Sequence, residues 1–106
     1  MHEESEEYVR RQLDQMRFLN QRCADGLTTL DRFVTDSKAL LRLLPQNLQE
    51  WKNRYFYQLG PLVVMVGVIF YEHRTQANEA EMEKLRDALI GMDALLRDVP
   101  GFPARQ

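Results

Sequence analysis

Residues Tyr55–Tyr71 read YFYQLGPLVVMVGVIFY, seventeen positions without a charge between Arg54 and the polar run Glu72-His73-Arg74. The rest of the chain is polar and charged, so the core is expected to centre on this segment. Three readings compete for it. A membrane-spanning helix needs about 20 predominantly apolar residues. This stretch falls short, holds Gln58 and is interrupted by Gly60-Pro61, which argues against a span. Val63, Val64, Val66, Val68 and Ile69 are β-branched and favour sheet. No second strand-like run exists to pair with them, however, and an unpaired strand leaves its backbone unsatisfied. The remaining reading is a buried helix, kinked or broken at Gly60-Pro61, with Pro61 acceptable in the first turn of a new helix.

The chain has 106 residues, 44% apolar and 28% charged, which is the composition of one globular domain covering residues 1–106. A net charge of −2 gives no global attraction to nucleic acid or to an anionic membrane. The charge is unevenly spread, with six acids and four bases in 1–25, three and five in 26–59, and seven and four in 72–98. A single cysteine, Cys23, cannot form an internal disulfide and suits a reducing compartment. The N-terminal MHEESEEYVRR is acidic and lacks the apolar centre of a secretory signal, so a cytoplasmic location is expected.

The flanking segments carry helical periodicity. Val9, Leu13, Met16, Leu19 and Cys23 recur on one face of residues 4–24, with Tyr8 and Phe18 beside them. The acids Glu3, Glu4, Glu6 and Glu7 suit that helix's N-terminus. Ala24-Asp25-Gly26 reads as a stop and turn. Thr28 with Asp31 resembles a capping box with the shorter acid, opening a helix through Leu30, Phe33, Val34, Ser37, Leu40, Leu41 and Leu44 that Pro45 ends. A third helix is predicted from near Asn47, with Leu48, Trp51, Tyr55 and Leu59 on one face. Asn78 with Glu81 is a cleaner capping box, opening a last helix whose Met82, Leu85, Leu89, Met92 and Leu96 keep an unbroken three-four step. Residues Val99–Pro103 are expected to form a short irregular tail.

The expectation is therefore an all-α, antiparallel bundle of four helices, or five if Gly60-Pro61 is a break, around a very apolar central helix. A helix in a small bundle needs only an apolar stripe, whereas this one is apolar on nearly every face. Either its neighbours wrap it completely or part of it is exposed and buries itself in a second copy. Gly60, Val64, Gly67 and Tyr71 fall on one face, and the two glycines would permit close approach, so these four are the candidate homodimer interface.

Chemistry is hard to find. His2 and His73 lack a second ligand at metal spacing, no phosphate-binding glycine loop or paired-cysteine motif occurs, and Cys23 lies on an apolar stripe without a nearby base. The basic residues Arg10, Arg11, Arg17, Arg42, Lys52 and Arg54 do not resemble the site of the small helical chorismate mutases. No catalytic, cofactor or metal site is expected. The chain is read as non-catalytic, with a small helical enzyme as the weaker alternative. On the last helix Glu79, Glu83 and Asp87 form an outward row at four-residue spacing and are the candidate partner-binding residues, against the alternative of an ordinary solvated face.

Phe18-Leu19, Gly26-Leu27, Phe33 and Leu40-Leu41 resemble the opening two helices of the small all-helical bacterial immunity proteins of the colicin D immunity type. Leu48, Trp51, Tyr55 and Glu81–Leu96 are similar to them in general layout, and the valine-rich segment 62–70 departs from their pattern. The resemblance implies a protein that plugs the active site of a nuclease toxin with an acidic surface. Its partner would be a toxin domain; the net charge and the short apolar stretch already argue against nucleic acid and a membrane span. A homodimeric interaction or regulatory module is the alternative function.

Overall fold

The computed structural model describes the backbone of residues 2–103 and the side chains of residues 6–102. The side chains of His2, Glu3 and Glu4 therefore lie outside the described residues. Four helices make up nearly all of the fold: α1 (His2–Ala24), α2 (Leu30–Arg42), α3 (Gln49–Tyr71) and α4 (Glu79–Arg97). A 3-10 turn, Gln46–Leu48, leads into α3. The tail is more regular than the sequence predicts, since β1 (Asp98–Val99) pairs antiparallel with β2 (Phe102–Pro103) around Gly101 at φ 81°. That closure tucks Val99 into the core at 2% exposure.

Local bonds explain where α1 stops and where α2 and α4 begin. α1 stops where Gly26 adopts φ 72°. Its N–H then bonds the Cys23 carbonyl (3.1 Å), and the Leu27 N–H bonds that of Arg22 (2.9 Å), which satisfies carbonyls the helix end would orphan. The cap of α2 is Thr29 rather than the expected Thr28. The Thr29 hydroxyl accepts from the Arg32 N–H (3.3 Å) while donating to the Asp31 carboxylate (2.7 Å), which also takes the Arg32 N–H (2.9 Å). α4 opens on the expected box. Asn78 Oδ1 accepts from the Glu81 N–H (2.8 Å), and Glu81 Oε1 accepts from the Asn78 N–H (2.9 Å).

The Gly60-Pro61 pair does not divide the third helix. α3 runs unbroken for 23 residues with Pro61 inside it, so the described residues form four α-helices and not five. Proline removes the donor that the Tyr57 carbonyl would use. Both Pro61 and Tyr57 lie on the exposed side of α3, where water can serve that carbonyl instead.

The core draws on every helix. Val9, Leu13 and Met16 come from α1, Phe33, Val34 and Leu41 from α2, and Leu85, Leu89, Met92 and Leu96 from α4. Met82 lies on the expected stripe of α4 but is exposed, as are Tyr8 and Phe18 of α1. From α3 come Trp51, Tyr55, Leu59, Leu62 and Met65. Fully burying side chains of this size contributes roughly 1.5–3 kcal/mol each. The expectation that Tyr55–Tyr71 would be central to the core holds for one face of the helix only. Specific bonds fix which turns meet. Trp51 Nε1 donates to the Leu95 carbonyl (2.9 Å), and an Arg17 guanidinium N–H to that of Leu96 (2.7 Å). Gln58 packs over Gly91, where an added Cβ would stand 2.6 Å from its Oε1. A side chain at position 91 would displace that amide.

Candidate functional site

Helical geometry sorts the apolar stretch into two sides. Leu59, Leu62 and Met65 face inward, whereas Tyr57, Pro61, Val64, Gly67, Val68 and Tyr71 are exposed, at steps of three and four residues. Tyr57 is 80%, Val64 66% and Tyr71 83% solvent-accessible. No charge interrupts this stripe, and Phe70 beside it is also largely exposed. The four candidate interface residues thus lie together. Val64, Gly67 and Tyr71 are exposed, Gly60 is half-buried, and no atom of a neighbouring element lies within 4 Å of where a Cβ on either glycine would be. The two glycines therefore do not serve close packing against another element of the fold. Monomers seldom leave a contiguous apolar surface of this kind without use for it.

Glu79, Glu83 and Asp87 are all exposed on α4, at four-residue spacing. Among the described residues none of them has a cation within 4 Å, and Arg86, three residues from Glu83, makes no ion pair with it. Ile90, 68% exposed, follows one turn on and adds an apolar contact to the row.

The most elaborate polar structure joins α3 to α4. His73 sits at φ 57°, donating its N–H to the Phe70 carbonyl (3.0 Å), and Arg74 donates its N–H to that of Ile69 (3.0 Å). This is the same helix stop that Gly26 makes after α1, built here with a side chain present. Arg74 then donates to both Glu81 oxygens (2.7 and 2.9 Å) and to Glu72 (2.8 Å). The guanidinium, aided by the Asn78 N–H, holds the Glu81 carboxyl down to about 2, and the same bonds raise Arg74 further above its ordinary range. The cluster is a clamp on the turn.

A second network is buried. Asn20, 3% exposed, donates from Nδ2 to Asp93 Oδ1 (2.9 Å), and the Tyr55 hydroxyl points at Asn20 Oδ1 (3.5 Å). Burial holds the Tyr55 phenol well above its ordinary range, and the Asn20 bond lowers it part of the way back. No described buried side-chain polar atom lacks a partner. Asn20 was not singled out from the sequence, although the spacing Val9, Leu13, Met16, Asn20 continues the core stripe of α1 and would have flagged it. Cys23 is half-buried, and burial pushes its thiol up to about 11, the opposite of an activated nucleophile. Among the described residues no three His, Cys, Asp or Glu side chains are grouped to hold a metal ion. His73 is exposed at the turn.

By length and composition alone, residues Gln46–Tyr71 form one helix long and apolar enough to cross a membrane, with 22% of its most apolar window buried. Comparison with known proteins gives no relative to set beside these features: no protein-family model, no curated protein and no solved structure matches the chain.

Proposed function

We propose that this chain is a non-catalytic, cytoplasmic protein-binding protein, an antiparallel four-helix bundle that self-associates through the exposed stripe of α3. The bundle reading is supported by contacts that run in opposite senses along facing helices: Trp51 with Leu95 and Gln58 with Gly91 between α3 and α4, and Arg17 with Leu96 and Asn20 with Asp93 between α1 and α4. The observation that carries the functional reading is the uncharged stripe with Val64 at its middle. Tyr57, Gly60, Gly67 and Tyr71 stand at −7, −4, +3 and +7 from Val64, so the pattern reads nearly the same in both directions. In an antiparallel twofold contact centred on Val64, residue i meets j while j meets i, so Tyr57 of one copy would meet Tyr71 of the other and Gly60 would face Gly67. A second copy is therefore the occupant that the stripe fits.

Sedimentation velocity from low to high micromolar concentration tests this. A monomer–dimer equilibrium is expected, and Gly67→Leu weakens it by about 1–3 kcal/mol if the contact is tight. A strict monomer throughout that range overturns the dimer. Expressed without detergent, the chain stays in the supernatant after high-speed centrifugation. Recovery only with membranes would instead assign the α3 stripe to lipid.

A second reading makes the chain an immunity-type inhibitor of a nuclease toxin, as the resemblance of its first two helices implies. It is favoured by the exposure of Glu79, Glu83 and Asp87 together with Ile90. With a toxin domain encoded beside this chain, reversing Glu83 and Asp87 to Lys slows association while leaving the fold intact, because rim charges act chiefly on encounter. Binding at the wild-type rate in low salt would end that reading.

A further inference from the structure

A cleft of about 450 Å³ lies where α2 turns into α3, lined by cations from both walls. Lys38 and Arg42 come from the second half of α2, and Lys52 from the first turn of α3 with Gln49 and Asn53 beside it. Leu41 and Phe56 supply its apolar surface, and no acidic side chain lines it. The volume falls within the range of small-molecule pockets.

The acids on the same two helices are engaged elsewhere: Asp36 pairs with Arg32 (3.4 Å) and Glu50 with Arg54 (3.2 Å). Neither Lys38 nor Arg42 has a carboxylate within 4 Å among the described residues. The Lys52 ammonium donates once, to the Leu44 carbonyl (3.0 Å), which leaves two of its three protons unspent. Gln49 Nε2 donates to Asn53 Oδ1 (2.9 Å), which orients the Asn53 amide and leaves its N–H groups free among the described bonds.

Cations spread along one helix face are ordinarily just solvated. Here two different helices bring three of them to one concavity, where their fields add and concentrate anions. A phosphate dianion answers several donors at once and makes the stronger, charge-assisted kind of hydrogen bond. Half-exposed Phe56 and the Leu41 side chain offer a surface to a flat apolar body attached to that phosphate. A nucleic-acid strand fits less well, since the chain carries net −2 and the cations occupy one cleft, not a stripe.

We propose that this cleft binds a small aromatic phosphate ester, with Lys38, Arg42 and Lys52 holding the phosphate, Asn53 donating to it, and Phe56 against the ring. The site adjoins the N-terminal end of the α3 stripe, since Phe56 lies one turn before Gly60, but shares no residue with it.

Titration of the full chain with phenyl phosphate and with inorganic phosphate, followed by ¹H–¹⁵N NMR, tests this. Saturable shifts are expected at the Asn53 and Gln49 side-chain amides, with phenyl phosphate binding more tightly than inorganic phosphate. The double substitution Lys38→Gln/Arg42→Gln weakens both probes by about a hundredfold, because each of the two ionic hydrogen bonds lost is worth about 1.4 kcal/mol, a factor of ten. Phe56→Ala removes the advantage of the phenyl ester. If the double variant melts early, Arg42→Gln alone, at an exposed position, gives the same reading with a smaller loss. Two results overturn the proposal. One is small shifts at every exposed cation that follow ionic strength and ignore these substitutions. The other is binding of a polyglutamate peptide in the cleft with no response to phenyl phosphate, which would make it a docking surface for acidic protein.

Discussion

Placing a charge at the middle of the α3 stripe is the most direct test of its role. Val64 is two-thirds exposed and makes no core contribution comparable with Leu59 or Leu62. Val64→Glu should therefore change the stability of the isolated chain by no more than about 0.5 kcal/mol, the usual range for surface substitutions. In a twofold dimer centred on Val64 the two glutamates face each other. At about 5 Å and a surface-like dielectric, their repulsion is about 3 kcal/mol, or roughly two-hundredfold in the dimer constant. The valines' own burial is lost in addition. Val64→Lys has the same effect for the same reason. An equal mixture of the two variants then places opposite charges across the axis and restores a heterodimer, which sedimentation velocity and native mass spectrometry both detect. If Val64→Glu associates as the unmodified chain does, the seam lies elsewhere on the molecule. If the mixture stays monomeric while each variant alone is also monomeric, the contact is not centred on Val64, and the symmetry argument fails.

Four further outcomes follow from individual residues. His73 occupies a left-handed position that costs a non-glycine residue roughly 1–2 kcal/mol, part of which glycine loses again to unfolded-state entropy, so His73→Gly should stabilise by about 0.5–1 kcal/mol. A lowered melting temperature would show that the imidazole holds the turn. Asn78→Ala should cost about 1 kcal/mol through loss of the α4 cap. In the same turn, Glu81 is held down to about 2, so its contribution is present above the ordinary carboxylate range and is lost as pH falls toward 2; acid unfolding of Glu81→Gln should lack that component. Cys23, raised to about 11, should alkylate slowly at pH 8 and faster as pH approaches 11; its linkage favours the fold below pH 9 and is lost between about 9 and about 11. Rapid modification of the folded chain at pH 7 would contradict the burial argument.

The sequence by itself determined what local physics controls. The helical steps of Val9, Leu13 and Met16, and of Leu85, Leu89, Met92 and Leu96, placed two core faces correctly, because burial on a helix must repeat at 3.6 residues. The Asn78–Glu81 box and the Gly26 stop were legible for a similar reason, since a cap satisfies backbone groups within a few residues of itself. Tertiary structure alone decided the rest. Whether Gly60-Pro61 would break α3 depended on which side of the helix Pro61 faced, and the packing of Leu59 and Leu62 turned it toward solvent. The spacing could show that Gly60, Val64, Gly67 and Tyr71 share a face, but only the positions of the neighbouring helices could show that nothing covers it. The same holds for the cleft of Lys38, Arg42 and Lys52. Their convergence needs two helices and the corner between them, and no period within a single segment records how far apart two segments come to rest.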